Sequence, residues 1–80
     1  MIFNGHVDVV PEGPKEMWTE DPFKSYVKDG RVYGRGSGDM KAGVVCFVMA
    51  YKALQKIGYY PASKIHFQSV IEEECSGNGT

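Results

Sequence analysis

His6 and Asp8 stand two apart in Gly5-His6-Val7-Asp8-Val9-Val10-Pro11, a run that otherwise reads as a buried strand. On a strand, positions i and i+2 face the same way. Asp8 can then reach the His6 imidazole, fix its tautomer and free the other nitrogen for a metal. A buried carboxylate is costly unless it has a partner, so the competing reading is a satisfied core histidine with a hydrogen-bonded acid. Asp39 is the second candidate. It follows Gly34-Arg35-Gly36-Ser37-Gly38 and precedes an apolar run. Aspartate before a helix is a common N-cap, but capping does not need three glycines. The two oxygens of a carboxylate can also bridge two metal ions. Glu72, Glu73 and Glu74 are the third candidate. A charge run is usually a solvated face, yet this one closes an apolar strand, where like charges repel unless something positive is near. A metal centre supplies that charge. One glutamate can then ligate while its neighbour acts as general base on water.

These residues need elements to bring them together. Ile2 to Val10 reads as a buried strand ended by Pro11. A polar loop with three prolines runs to Pro22, and Trp18 and Phe23 read as packing residues that cover it. Phe23 to Lys28 and Arg31 to Tyr33 flank Asp29-Gly30, a strong hairpin signal. Met40 to about Ile57 reads as a helix closed by Gly58 and Pro61. Its apolar residues run nearly all round from Val44 to Met49, which predicts burial by a sheet and neighbours. Lys64 to Ile71 is a further strand, with the glutamates at its C-terminal end. Strand, helix and strand predict an α/β layer architecture, in which sites form at the C-terminal ends of strands. His6, Asp8 and the glutamates all fall there. His66 reads as structural, Arg35 as solvated, and Cys75, without a cationic neighbour, as inert.

Composition narrows the function classes. In 80 residues, 42% are hydrophobic and 24% charged, with a net charge of −1. Those proportions argue against disorder, and without a basic patch no nucleic-acid partner is expected. The apolar stretch Ala42 to Tyr51 is too short to span a bilayer, so no membrane partner is expected. Cys46 and Cys75 form no CxxC pair, which points to a reduced, intracellular protein. The glycine loop matches neither GxGxxG nor GxxxxGK[ST], and Asp39 would repel a phosphate, which disfavours nucleotide binding. The chain starts inside an apolar strand and stops at Gly77-Asn78-Gly79-Thr80, a turn, so a fragment with an internal Met1 is expected.

GHVDVVP, then WTEDPF…DGRVYGRGSGDMKAG, then SVIEEECSGNGT resemble the co-catalytic zinc aminoacylases and exopeptidases. That family includes acetylornithine deacetylase, succinyl-diaminopimelate desuccinylase, aminoacylase and carboxypeptidase G. The resemblance runs through essentially all 80 residues. It implies a three-layer α/β catalytic domain with a mixed sheet flanked by helices. Residues 1–80 would be part of that domain, truncated at both ends. It implies that His6 ligates one metal ion, that Asp39 bridges two, and that Glu74 ligates the second. Asp8 and Glu73 are the implied catalytic residues: Asp8 clamps the imidazole without ligating, and Glu73 is the general base. The peptide bond after Asp39 is often cis in this family. Glu72 falls where relatives often have aspartate, and its role stays open. The implied cofactor is zinc, two ions in the complete enzyme, although cobalt or manganese also suits a mixed His/carboxylate site. The implied reaction is hydrolysis of an amide or peptide bond in an N-acyl amino acid or small peptide. A further acidic ligand, a late histidine and an inserted lid or dimerisation domain would lie beyond Thr80. The full-length protein is then expected to be a cytoplasmic homodimer, and the 80-residue chain inactive. The alternative is a non-catalytic relative that serves as a binding or scaffold module. His6, Asp8, Asp39, Glu73 and Glu74 argue against it, because a scaffold needs none of them.

Overall fold

The computed structural model describes residues 1–79. Strand β1 (Ile2–His6) leads through a long loop to the hairpin β2 (Tyr26–Lys28) and β3 (Arg31–Tyr33). Helix α1 (Ala42–Lys56) follows, and then strand β4 (His66–Val70). β1 and β4 pair in parallel from Ile2↔His66 to His6↔Val70. β2 and β3 form a separate antiparallel ribbon. One parallel sheet, one antiparallel ribbon and a helix make an α/β arrangement, the predicted class.

Local sequence explains each element. Aromatic and branched residues favour the pleated conformation of β1 and β4. Asp29 and Gly30 both take positive φ, 51° and 73°, as a two-residue turn between right-twisted strands demands. The Tyr26 and Tyr33 rings stack across the ribbon at 5.1 Å. The end of α1 is set by Gly58, whose φ is 88°. Its N–H donates to the Gln55 carbonyl at 3.0 Å, and the Tyr59 N–H donates to Leu54 at 3.0 Å. These bonds satisfy carbonyls that the last turn would leave open.

α1 lies on the parallel sheet through aromatic rings. Phe47 meets Phe3 at 5.7 Å and Phe67 at 5.4 Å, and Tyr51 meets Phe67 edge-on at 5.3 Å. Such pairs add about 0.5–1.5 kcal/mol each beyond their buried area. Gly5 permits the approach, because a Cβ there would stand 2.8 Å from Cγ2 of Val44.

The structure corrects three expectations about these elements. β1 ends at His6, so Asp8 lies in the loop after the strand, not on it. α1 starts at Ala42, because Asp39 and Met40 before it are not helical. Nor is α1 covered all round. Only the side carrying Val44, Phe47 and Tyr51 meets the sheet, while Val45 and Met49 are 58% and 54% exposed. A two-stranded sheet is wide enough to cover one face of a helix, and among the described residues no other element covers the rest. No helix in the described residues is long and apolar enough to cross a membrane.

Candidate metal centre

Parallel pairing places the ends of β1 and β4 side by side. The ladder finishes at His6↔Val70, and the Val7 N–H still donates to Val70 at 3.0 Å. The loops that carry Asp8 and the glutamates therefore leave the sheet at one point. Glu72 has a φ of 64°, and its carbonyl accepts N–H bonds from Ser76 and Gly77. Its carboxylate accepts the Ser76 hydroxyl at 3.0 Å. Glu72 thus organises the turn, while Glu73 and Glu74 reach towards His6.

Asp39 arrives from a third direction. Between β3 and α1 the backbone makes a widened turn over Ser37–Lys41, with the Lys41 N–H bonded to the Gly36 carbonyl. The Asp39–Met40 peptide bond is cis. Gly36 has φ 79°, and a Cβ there would collide with Cγ1 of Val9. The glycine loop thus presses directly on the loop after β1. Asp39 makes no capping bond to α1, so the N-cap reading fails. Its side chain is 80% exposed and turns to the imidazole instead.

His6 is the centre of the cluster and only 4% exposed. Its Nδ1 lies 3.1 Å from the Asp8 backbone carbonyl. A carbonyl only accepts, so Nδ1 carries a proton and donates. Nε2 faces Oδ1 of Asp39 at 3.0 Å and Oε2 of Glu73 at 3.7 Å. Burial acts to lower the His6 pKa. The Asp39 hydrogen bond, the Asp8 carbonyl and the charges of Glu73 and Asp39 outweigh it, and the imidazole sits above its ordinary value. Asp8 is held below its ordinary value: burial acts to raise it, but the N–H groups of Glu74 and Glu73, its own N–H and the His6 charge prevail.

One ligand atom from each of His6, Asp39 and Glu74 lies within 4.8 Å of the other two. A buried imidazole facing carboxylates with one nitrogen is a donor set that fits zinc. Its other nitrogen is already engaged by a carbonyl, as ligating histidines usually are.

Residues 2–80 match the profile of peptidase family M20/M25/M40. The chain belongs to the M20/M25/M40 peptidase family. Among curated relatives, succinyl-diaminopimelate desuccinylase of Hydrogenovibrio crunogenus is 44% identical over 84 residues, covering 100% of this chain and 22% of the relative. The enzyme of the same name from Thioalkalivibrio sulfidiphilus is 43% identical over 83 residues, with the same two coverages. That from Stenotrophomonas maltophilia is 54% identical over 50 residues, 62% of this chain and 13% of the relative. The chain thus spans about a fifth of the length of the first two M20/M25/M40 relatives.

Two features of this M20/M25/M40 chain escaped the sequence reading. Arg35 is not solvated. Its guanidinium lies 5.0 Å over the Trp18 ring, its Nε is buried, and Nη2 donates to the Glu12 carbonyl at 3.3 Å. The Trp18 indole N–H donates to the same carbonyl at 2.8 Å. This assembly ties the loop after β1 to the glycine loop that carries Asp39. An arginine beside the glycines with a tryptophan upstream was the available signal. Phe23, expected to cover the loop with Trp18, is instead exposed. The second feature is the grip of Asp8 on the glutamate turn: the Glu73 N–H donates to Oδ1 at 3.3 Å and the Glu74 N–H to Oδ2 at 3.1 Å. No local pattern announces a side chain that accepts from residues 65 and 66 positions away.

Proposed function

We propose that this chain carries part of the active site of a two-zinc amidohydrolase that cleaves a small N-acyl amino acid or peptide. Succinyl-diaminopimelate, which names the curated relatives, is the favoured substrate. One observation carries the reading: three separate segments bring ligand atoms of His6, Asp39 and Glu74 within 4.8 Å of one another, with Glu73 beside the same imidazole. A scaffold has no use for that convergence of acids.

In this reading His6, Asp39 and Glu74 would hold the metal. When bound, the metal supplies the Lewis acidity that lowers the pKa of water and polarises an amide carbonyl. Glu73 takes a proton from the attacking water and returns it to the departing amine. Its Oε2 stands 3.7 Å from the ligating nitrogen of His6, and its side chain is 54% exposed, so water and substrate reach it. His6 keeps its Nδ1 proton on the Asp8 carbonyl, so it is Nε2, now hydrogen-bonded to Asp39, that would give up its proton and offer its lone pair to a metal. The complete enzyme in this reading is a longer, cytoplasmic homodimer that adds the remaining ligands and a lid, and the 80 residues alone are inactive.

Glu73→Ala in the full-length protein tests the assignment. Hydrolysis of N-succinyl-diaminopimelate should fall by about 10²–10⁴-fold, the range of general-base contributions, with metal content retained. Unchanged hydrolysis would overturn the assignment of the base. A wild-type protein that binds zinc but cleaves no N-acyl amino acid would favour the binding-module alternative.

A further inference from the structure

We propose that Asp8 is a positioning residue whose carboxylate holds the Glu73–Glu74 backbone against the end of β1. The inference rests on the reading of Glu73 as base and Glu74 as ligand. It gives Asp8 a task in addition to the clamping of the imidazole that the resemblance implies.

The geometry divides the two tasks between two parts of the same residue. The closer contact to the ring comes from the backbone. Nδ1 is 3.1 Å from the Asp8 carbonyl but 3.4 Å from its carboxylate, and no substitution at position 8 removes a carbonyl. The carboxylate, still within ion-pair reach of the ring, takes its hydrogen bonds from the glutamates, one oxygen on the Glu73 N–H and the other on the Glu74 N–H. Two consecutive amides need two acceptors on one short side chain. Among the natural side chains of this length, only aspartate offers them.

The glutamate turn needs such a tie. The sheet ladder stops at the Val7–Val70 bond. Beyond it, Glu72 reverses the chain, and its own carbonyl secures only residues 75 to 77. Among the described residues, the Glu73 and Glu74 amides have no acceptor other than Asp8. Charge-assisted bonds from backbone N–H to carboxylate are the stronger kind. A single carboxylate thus sets where base and ligand stand relative to His6, whose ring hangs on the same residue.

Asp8→Asn separates the tasks, because asparagine keeps the shape but offers one acceptor and a donor. The test uses the full-length, metal-loaded protein with nitrogen-15 in glutamate and histidine. Amide exchange at Glu73, Glu74 or both should accelerate by roughly tenfold or more, as expected for the loss of one charged hydrogen bond. The His6 nitrogen shifts should still report an Nδ1-protonated ring. Exchange rates that stay unchanged at both amides overturn the proposal, whether or not the ring responds. Should the variant fail to fold, the wild-type protein supplies a second measurement. Scalar couplings across the hydrogen bonds, from the Glu73 and Glu74 amide nitrogens to the Asp8 carboxyl carbon, are expected. Their absence overturns the proposal. Neither readout involves hydrolysis, so loss of the tie and loss of the functional reading are told apart: an inactive protein with both amides protected would refute the roles of Glu73 and Glu74 but not the hold of Asp8 on their backbone.

Discussion

The two nitrogens of His6 face different partners, and that asymmetry decides what the imidazole can do. Nδ1 donates to a carbonyl, so its proton is committed. Nε2 is left facing Asp39 and Glu73, and in the neutral ring it carries the lone pair a metal needs. Replacing the ring with an amide removes that donor and leaves the acids facing one another. For His6→Gln in the full-length protein, zinc affinity should fall by more than about a hundredfold, beyond the loss seen for second-layer partners. Competition with a chelator of known affinity measures it, and unchanged affinity would show that His6 is no ligand. At this scale the sequence was informative about residue types. The acid–imidazole spacing and the paired glutamates announced metal chemistry. The division of labour within Asp8 was not readable, because the strand ends two residues earlier than the apolar run suggests. Asp8 therefore acts from a loop, where its carbonyl and carboxylate both lie at the His6 ring and the carboxylate also accepts the glutamate amides.

At the scale of elements, two glycines set the distances on which the site depends. Gly36 lets the loop carrying Asp39 press against Val9, and Gly5 lets α1 lie on β1. In the full-length protein, Gly36→Ala combines a left-handed backbone with a steric clash and should cost about 1–3 kcal/mol. Gly5→Ala overfills the contact with Val44 and should cost a similar ~1–3 kcal/mol. Gly38 is the control: no atom lies within 4 Å of a Cβ built there, so Gly38→Ala should stay within about 0.5 kcal/mol of wild type, as surface changes usually do. Denaturant unfolding ranks the three, and a Gly36 variant as stable as the Gly38 variant would refute the contact with Val9. Helix α1, the hairpin and the two parallel strands were legible from apolar patterning, Asp29-Gly30 and Gly58. The start of α1 was not. Met40 continues the apolar pattern, but the chain from Ser37 to Lys41 makes a widened turn that aims Asp39 at His6.

The whole molecule is thin and open. Its extents are 50 × 35 × 11 Å and its radius of gyration is 15.6 Å, against the ~12 Å of a compact domain with 80 residues. No hydrophobic residue among those described is buried. Phe3, Phe47, Tyr51, Leu54, Tyr59 and Tyr60 line an apolar recess that holds no acid or histidine, and the outer face of α1 is bare. Apolar surface left in water contributes no burial free energy, so the 80-residue chain alone should be only marginally stable. In isolation it should bind a hydrophobic dye and melt without a sharp transition, and a cooperative calorimetric unfolding peak would contradict this. The three clustered donors are also fewer than two closed zinc sites require. Calorimetric titration of the isolated chain should therefore show no pair of tight zinc sites, and two tight sites would overturn the proposal that ligands are missing.

The sequence by itself determined which chemistry is available. It placed an imidazole, an aspartate after a glycine loop and adjacent glutamates at the ends of apolar strands, because side-chain type and local periodicity are properties of neighbouring residues. The tertiary structure decided which of them meet. Parallel pairing of β1 with β4 joins residues more than sixty positions apart, and the cis-linked turn at Asp39 carries a third segment to the same nitrogen. Only that geometry shows Glu72 shaping the turn, Arg35 bracing a loop against Trp18, and Asp8 holding the glutamates. Contacts between residues far apart in the chain leave no local periodicity to read, so the chain's own folding had to reveal them.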